Sequence, residues 1–402
     1  MPIAGIAQER YSGAPKYDRT MVTKRARLWL SRGLAITVFV VAAGLFAATW
    51  YYSGEIEREV FASRTLDTTP DVVLLHVAAA QVSIPTDSRT TKPGQWGLDF
   101  SEGYAKVGPV LAEAAGVVSR QLIAIDGLVA AGQRAAWDRM AFPDPESRGI
   151  AYGEALIDGP LGPLPAWLTP GESDTWVVFV HGAGADRREA LRAIPTAQAL
   201  GLPTLTITYR NDAGAPPSSS GRHGYGRNEW ADLEAAVEFA VGEGATHVVL
   251  VGYGTGGSIV SVFMRNSRLT EMVSGLVFDS PVLDAGQLVD GLAAGDKVPG
   301  FIVDWSRAMA SFRFGVEWSA LDHIDAASEI AVPVLLFHGT DDAEAPITSS
   351  REYIAALGEL ATMITVPGAD HGESWNLDPE AYQSALSEFL QAAATAPPED
   401  DE

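Results

Sequence analysis

Residues Thr246–Val260 read THVVLVGYGTGGSIV. The run Val248–Val251 is apolar on both faces, as in a strand covered from above and below. It breaks into the glycine-rich turn Gly252-Tyr253-Gly254-Thr255-Gly256, and small residues then resume as in a closely packed helix. Two chemistries use such a turn. A phosphate-cradling loop needs a Lys followed by Ser or Thr, and a dinucleotide site needs an acidic residue for the ribose; neither is present here. The other chemistry is the sharp G-x-Nu-x-G turn, which holds one residue up at the mouth of a helix. In this chain the central position is Gly254.

Working outward, apolar runs of strand length alternate with amphipathic stretches. The expected strands are Trp176–Val180, Thr204–Tyr209, His247–Val251, Leu276–Phe278, Val332–Phe337 and Met363–Val366. Trp230, Leu233, Val237 and Val241 recur at helical spacing, and Ala381–Ala393 forms a closing helix with Tyr382, Leu386 and Leu390 on one side. This alternation predicts an α/β domain over 149–395, a mostly parallel sheet with helices on both faces.

Two later strands end in chemistry. Val332–Phe337 runs into His338-Gly339-Thr340-Asp341-Asp342-Ala343-Glu344-Ala345-Pro346, and Met363–Val366 runs into Pro367-Gly368-Ala369-Asp370-His371-Gly372. An elbow, then an acid, then a histidine is the chain order of one class of hydrolytic triad. Upstream, Trp176–Val180 leads into His181-Gly182-Ala183-Gly184, whose small residues let backbone N–H groups approach a substrate oxygen.

On these segments, with Tyr209-Arg210-Asn211-Asp212, residues 149–393 resemble the α/β-hydrolase family, in its acyl-peptidase-like and dienelactone-hydrolase-like branch of serine hydrolases. The resemblance implies hydrolysis of esters, amides or thioesters through a serine acyl-enzyme. It makes His371 the general base, Asp342 its acid in preference to Asp341, and the N–H groups of Ala183 and Thr255 the oxyanion donors. The family's serine falls on Gly254, which has no side chain, so acyl transfer is expected to be lost or strongly reduced. The alternative is a non-catalytic protein that binds a ligand or serves as a scaffold. Thr255, Ser258, or a water between His371 and Gly254 are the weaker substitutes for the missing hydroxyl. A further reading is that Gly254 simply relieves the strain of the turn. His223 reads as a loop residue, and His76, His247 and His323 lack metal-ligand spacing, so neither metal nor cofactor is expected. Trp305, Phe312, Phe314 and Trp318 read as the core of a helical insertion, with a pocket-lining role as the alternative.

The N-terminal part carries the other long signal. Gly33–Tyr52 is uncharged and apolar, long enough to cross a hydrocarbon core of about 30 Å. Lys24, Arg25, Arg27 and Arg32 precede it, and Glu55, Glu57 and Glu59 follow it, which predicts a cytoplasmic N-terminus and an extracytoplasmic main domain. A cleaved signal peptide is the competing reading, but this run exceeds the usual apolar region of one. Residues 1–32 read as a basic cytoplasmic tail that need not fold, and 396–402 as an acidic tail. Between the anchor and the main domain, 53–148 reads as a membrane-proximal β-rich segment and linker, within which Asp126–Trp137 looks helical.

Composition bounds the partners. The 402 residues include 51 Asp+Glu against 28 Lys+Arg, a net charge of -23, which argues against nucleic acid. Cysteine is absent, so disulfide and thiolate chemistry are excluded. The expected partners are the lipid bilayer, through the N-terminal helix, and a small acyl or peptide ligand; no protein partner is legible.

Overall fold

The computed structural model describes residues 19–62 and 68–395, with side chains from Arg27 onward. Most of the basic tail expected over 1–32, and the acidic tail 396–402, lie outside the described residues. The part of the basic tail that is described, from Arg19, is helical and runs without a break into α1 (Arg19–Ile56). The anchor expected at Gly33–Tyr52 therefore lies inside a longer helix. Its apolar stretch is exposed along Leu34, Ile36, Val38, Phe39 and Phe46, and it is long and apolar enough to cross a membrane.

Beyond α1 the chain makes a π-helical turn, Glu57–Phe61. The first sheet then comprises β1 (Val72–Val73), β2 (His76–Ala78), β3 (Gln81–Pro85), β4 (Trp96–Phe100), β5 (Gly103–Ala114), β6 (Val117–Gly127) and β7 (Arg134–Asp138). Their order is β1-β7-β4-β5-β6-β3-β2, with every neighbouring pair antiparallel. Trp96, Leu98, Val82, Ile84 and Val107 fill its buried face. The helix expected over Asp126–Trp137 does not form. Its ends belong to β6 and β7, and the turn between them passes through Gly132 at φ 89. Alanine-rich composition favours a helix locally, but pairing of β7 with both β1 and β4 outweighs that preference.

The second sheet holds β8 (Gly153–Gly159), β9 (Gly162–Thr169), β10 (Thr175–Val180), β11 (Thr204–Ile207), β12 (His247–Tyr253), β13 (Val273–Asp279), β14 (Val334–Gly339) and β15 (Ala361–Val366). The order is β15-β14-β13-β12-β10-β11-β9-β8. The strands from β10 to β15 pair in parallel, while β9 and β8 add an antiparallel edge. Each strand expected from the sequence is present with shifted ends.

Helices α2 (Ile194–Ala199), α3 (Trp230–Gly242), α4 (Thr255–Asn266), α5 (Ala285–Gly295), α6 (Gly300–Phe314), α7 (Ile347–Leu357), α8 (Ser374–Leu377) and α9 (Pro379–Thr395) complete the domain. One core layer joins β12 to α3 and α4 through Leu233, Val237, Leu250, Val260 and Phe263. The opposite layer joins Val249, Val251 and Phe337 to Tyr382, Leu386 and Leu390 of α9. On α3 the buried stripe is Leu233, Ala236, Val237 and Ala240, whereas Val241, expected in that stripe, is 37% exposed.

A third cluster positions the site. Ile56, Val60 and Phe61, at the end of α1 and in the turn after it, pack against Tyr225, Val282, Leu288, Val289 and Val303. Burying side chains of this size contributes about 1.5–3 kcal/mol each. Arg313 of α6 donates to Trp50 O and Ser53 Oγ, both at 2.6 Å, and its guanidinium lies 3.8 Å from the centre of the Trp50 ring. The first helix is thus seated on α5 and α6 rather than tethered loosely to the domain. The insertion aromatics divide. Phe314 and Trp318 pack against the third cluster, but Trp305 and Phe312 are 62% and 84% exposed, so neither the core nor the pocket-lining reading holds for those two.

Candidate active site

Gly254 sits between the end of β12 and the first residue of α4 with φ 50 and ψ -117. Side chains rarely adopt that backbone, and here glycine takes it without a Cβ clash. The turn is bonded on three sides: Gly254 N–H donates to Asp279 O at 3.0 Å, and Gly254 O accepts from Val282 N–H at 2.9 Å and Gly257 N–H at 3.1 Å. Gly256 serves a different need, since a Cβ there would meet Val180 O at 2.1 Å.

A Cβ built on Gly254 lies 3.1 Å from His371 Nε2. The elbow therefore presents its bare α-carbon to the imidazole. On the other side of the ring, Nδ1 is 3.0 Å from Asp342 Oδ2 and 3.2 Å from Oδ1. The Asp342 side chain is fully enclosed and accepts from Ala345 N–H at 2.7 Å and Glu344 N–H at 3.0 Å. Asp341 is exposed and bonded to the Thr340 hydroxyl, away from the ring. Burial disfavours the charged imidazole, but the Asp342 carboxylate overrides it and raises His371 to about 9. Burial would likewise raise Asp342, yet the facing imidazole and the backbone N–H donors hold it below the usual carboxylate range. At neutral pH the two form an ion pair.

The loop carrying His371 is fastened from several directions. Arg139 Nη1 donates to His371 O at 2.9 Å, Arg192 Nη1 to Gly372 O at 2.6 Å, and Gly372 N–H to Ser280 Oγ at 3.1 Å. Lys92, from the loop before β4, bonds Glu373 at 2.6 Å, and Gln95 N–H donates to Asn376 O at 2.8 Å. The first sheet and its linker thus brace this loop, a role that local pattern did not disclose.

The oxyanion side is arranged differently. Ala183 N–H donates to Thr255 Oγ1 at 2.6 Å, so the expected donor already has an internal acceptor. His181 supports this turn from behind: its Nε2 lies 2.9 Å from Asp212 Oδ2, and its ring stacks on Tyr209 with centroids 4.6 Å apart. Asp212 overcomes the burial penalty and raises His181 to about 9. Of the substitutes for a nucleophile, Thr255 spends its hydroxyl on Ala183 and Ser258 donates to Val282 O. His223 is buried rather than carried on an open loop, with its backbone N–H bonded to Phe61 O at 2.9 Å.

The crevice bounded by Ala183, Thr255 and His371 has a volume of only about 50 Å³, and Val60, Leu292 and Glu344 close it. Val60 belongs to the turn after α1. That turn is held by Tyr225 Oη donating to Val60 O at 2.8 Å and Arg222 Nε donating to Glu57 at 2.8 Å. Sequence reading missed this cover. The run of carboxylates after the apolar stretch signalled topology, and nothing local tied it to a loop some 160 residues away.

Comparison with known proteins agrees with this architecture. Residues 177–385 match the alpha/beta hydrolase family, and residues 73–138 match a domain of unknown function (DUF8805). An esterase of Pyrococcus furiosus superposes with a TM-score of 0.50 at 18% identity, covering 62% of this chain and 95% of that one. Est1E of Butyrivibrio proteoclasticus, solved with ferulic acid, gives 0.47 at 17% identity over 60% of this chain and 100% of that one. A bromoperoxidase of Bacillus anthracis gives 0.44 at 18% identity, with the same coverage. No curated protein sequence matches the chain.

Proposed function

Because the chain belongs to the alpha/beta hydrolase family, we propose that it is a pseudo-hydrolase, anchored in a membrane by α1 with its folded domain on the extracytoplasmic side, in which acyl transfer has been lost at Gly254. The observation that carries this reading is the 3.1 Å between His371 Nε2 and the Cβ position of Gly254. In a serine triad that imidazole takes the proton of a hydroxyl as it attacks the acyl carbon. Here the ring faces a carbon that bears only hydrogen. Two further features point the same way: the Asp342 pair keeps His371 protonated at neutral pH, when a base must be free, and the Thr255 hydroxyl holds the Ala183 donor. The uncharged stretch Gly33–Tyr52, with basic residues before it and acidic residues after it, supports the anchor and its orientation.

A second reading keeps slow hydrolysis, because His371 Nε2 faces the space beside Gly254 where a water could be deprotonated. The two are separated by turnover of nitrophenyl esters between pH 6 and 10, comparing the native chain with His371→Ala. The proposal predicts equal rates at every pH. A native rate that rises through about pH 9 and disappears in His371→Ala would establish water attack and overturn it.

A further inference from the structure

Beside the closed crevice lies a cavity of about 520 Å³, within the roughly 300–1,000 Å³ typical of small-molecule sites. Tyr51, Tyr52 and Ile56 of α1 form one wall; Leu292, Val298 and Val303 of α5, α6 and the link between them form the other. The two tyrosines end the apolar stretch Gly33–Tyr52, so the cavity lies at the level where α1 leaves the hydrocarbon. The outward face of α6 exposes Phe301, Trp305 and Phe312, spaced to share one side of the helix. With Trp50, stacked under Arg313, these exposed aromatics lie on the same two helices that line the cavity, where a lipid interface would cover them.

The cavity and the crevice at His371 adjoin, with Glu59, Val60 and Leu292 lining both. Charge narrows the occupant. Glu55, Glu59 and Asp296 line the wide cavity, and Glu344 lines the crevice. Glu55 and Glu59 share Arg58. His371 is matched by Asp342, and the remaining carboxylates Asp296 and Glu344 repel a free carboxylate or a phosphate. An uncharged ester avoids that repulsion, and its carbonyl oxygen can accept a hydrogen bond from His371 Nε2.

We infer that this cavity takes the acyl chain of an uncharged single-chain ester lipid from the bilayer, with the ester head directed past Val60 toward His371 and the N-terminus of α4. The inference rests on the membrane anchoring proposed above and gives the retained acid–imidazole pair a use in binding.

The test uses the full chain in phosphatidylcholine nanodiscs with a 1-monoacylglycerol carrying a diazirine on its acyl chain. Photo-cross-links should map to the segment Val289–Val303. Excess monoolein should reduce them at least tenfold, with oleate at least tenfold weaker as a competitor. Ala293→Trp, which fills the cavity from a half-buried position, should reduce them by a similar factor, and Val303→Trp provides a second filling variant. Cross-links confined to the outward face of α1 from Val38 to Phe46 would overturn the inference. So would competition by oleate equal to that by monoolein, or labelling unchanged in filling variants that melt like the native chain. Release of fatty acid in the same samples would instead contradict the loss of acyl transfer, while leaving the cross-link map to be judged by itself.

Discussion

The two halves of the candidate site have fared differently. On one side, Asp342 and His371 form an enclosed ion pair, and the His371 loop is bonded by Arg139, Arg192 and Ser280. On the other side the elbow carries no side chain, and one of the two expected oxyanion donors, Ala183 N–H, is spent on Thr255. The physical difference is that the acid–imidazole pair serves the fold, whereas a side chain at the elbow would only strain it. A nucleophile held at φ 50 strains the backbone, so glycine relieves the fold of that strain. An intact acid–imidazole pair is therefore no sign of activity by itself, because its electrostatics stabilise the native state whether or not a substrate reacts.

Severing the ion pair should produce the largest change. In Asp342→Asn the His371 ring loses the carboxylate that raises it to about 9, while burial continues to disfavour its charge. Its titration, followed by the imidazole carbon-bound proton signals in NMR, should move to 6.5 or below. With a folded-state pKa above the unfolded value of about 6.5, His371 stabilises the native chain fully below that pH, and the contribution is lost as pH rises through about 9. The melting temperature of the native protein should fall over that window, and Asp342→Asn should flatten the fall. An unchanged titration would mean that the pair is not what holds the ring.

A smaller effect should mark the other half. Gly254→Ala places a Cβ at φ 50 and 3.1 Å from His371 Nε2, and should cost about 1–3 kcal/mol by denaturant unfolding. A neutral or stabilising result would remove strain relief from the account of why glycine is tolerated there.

Much of this was legible in the sequence for reasons of period and order. Val248–Val251 and the other central apolar runs are buried on both faces, which marks them as interior strands, whereas Met363–Val366 at the sheet edge is only half-buried. The segments ending in Asp342 and His371 follow the elbow in the order that parallel crossovers can bring together. What escaped was non-local. Asp126–Trp137 looks helical because its alanines respond to local propensity, whereas its sheet partners lie some 20 to 60 residues upstream. The seating of Val60 over the crevice depends on Tyr225 and Arg222, and the Thr255–Ala183 bond joins residues 72 apart in the chain. Trp305 and Phe312 read as core because aromatic residues at helical spacing usually are, yet α6 turns them outward.

The central claim, that acyl transfer is lost because the elbow carries no attacking group opposite a retained acid–imidazole pair, is tested most directly by the intact mass of the full chain after exposure to a fluorophosphonate, for the native protein and for Gly254→Ser. The account predicts no adduct on the native chain and one adduct on the variant, lost again when His371→Ala is added. A native chain that gains the adduct, with the gain abolished by His371→Ala, would show that a hydroxyl from elsewhere reaches the imidazole and would contradict the account.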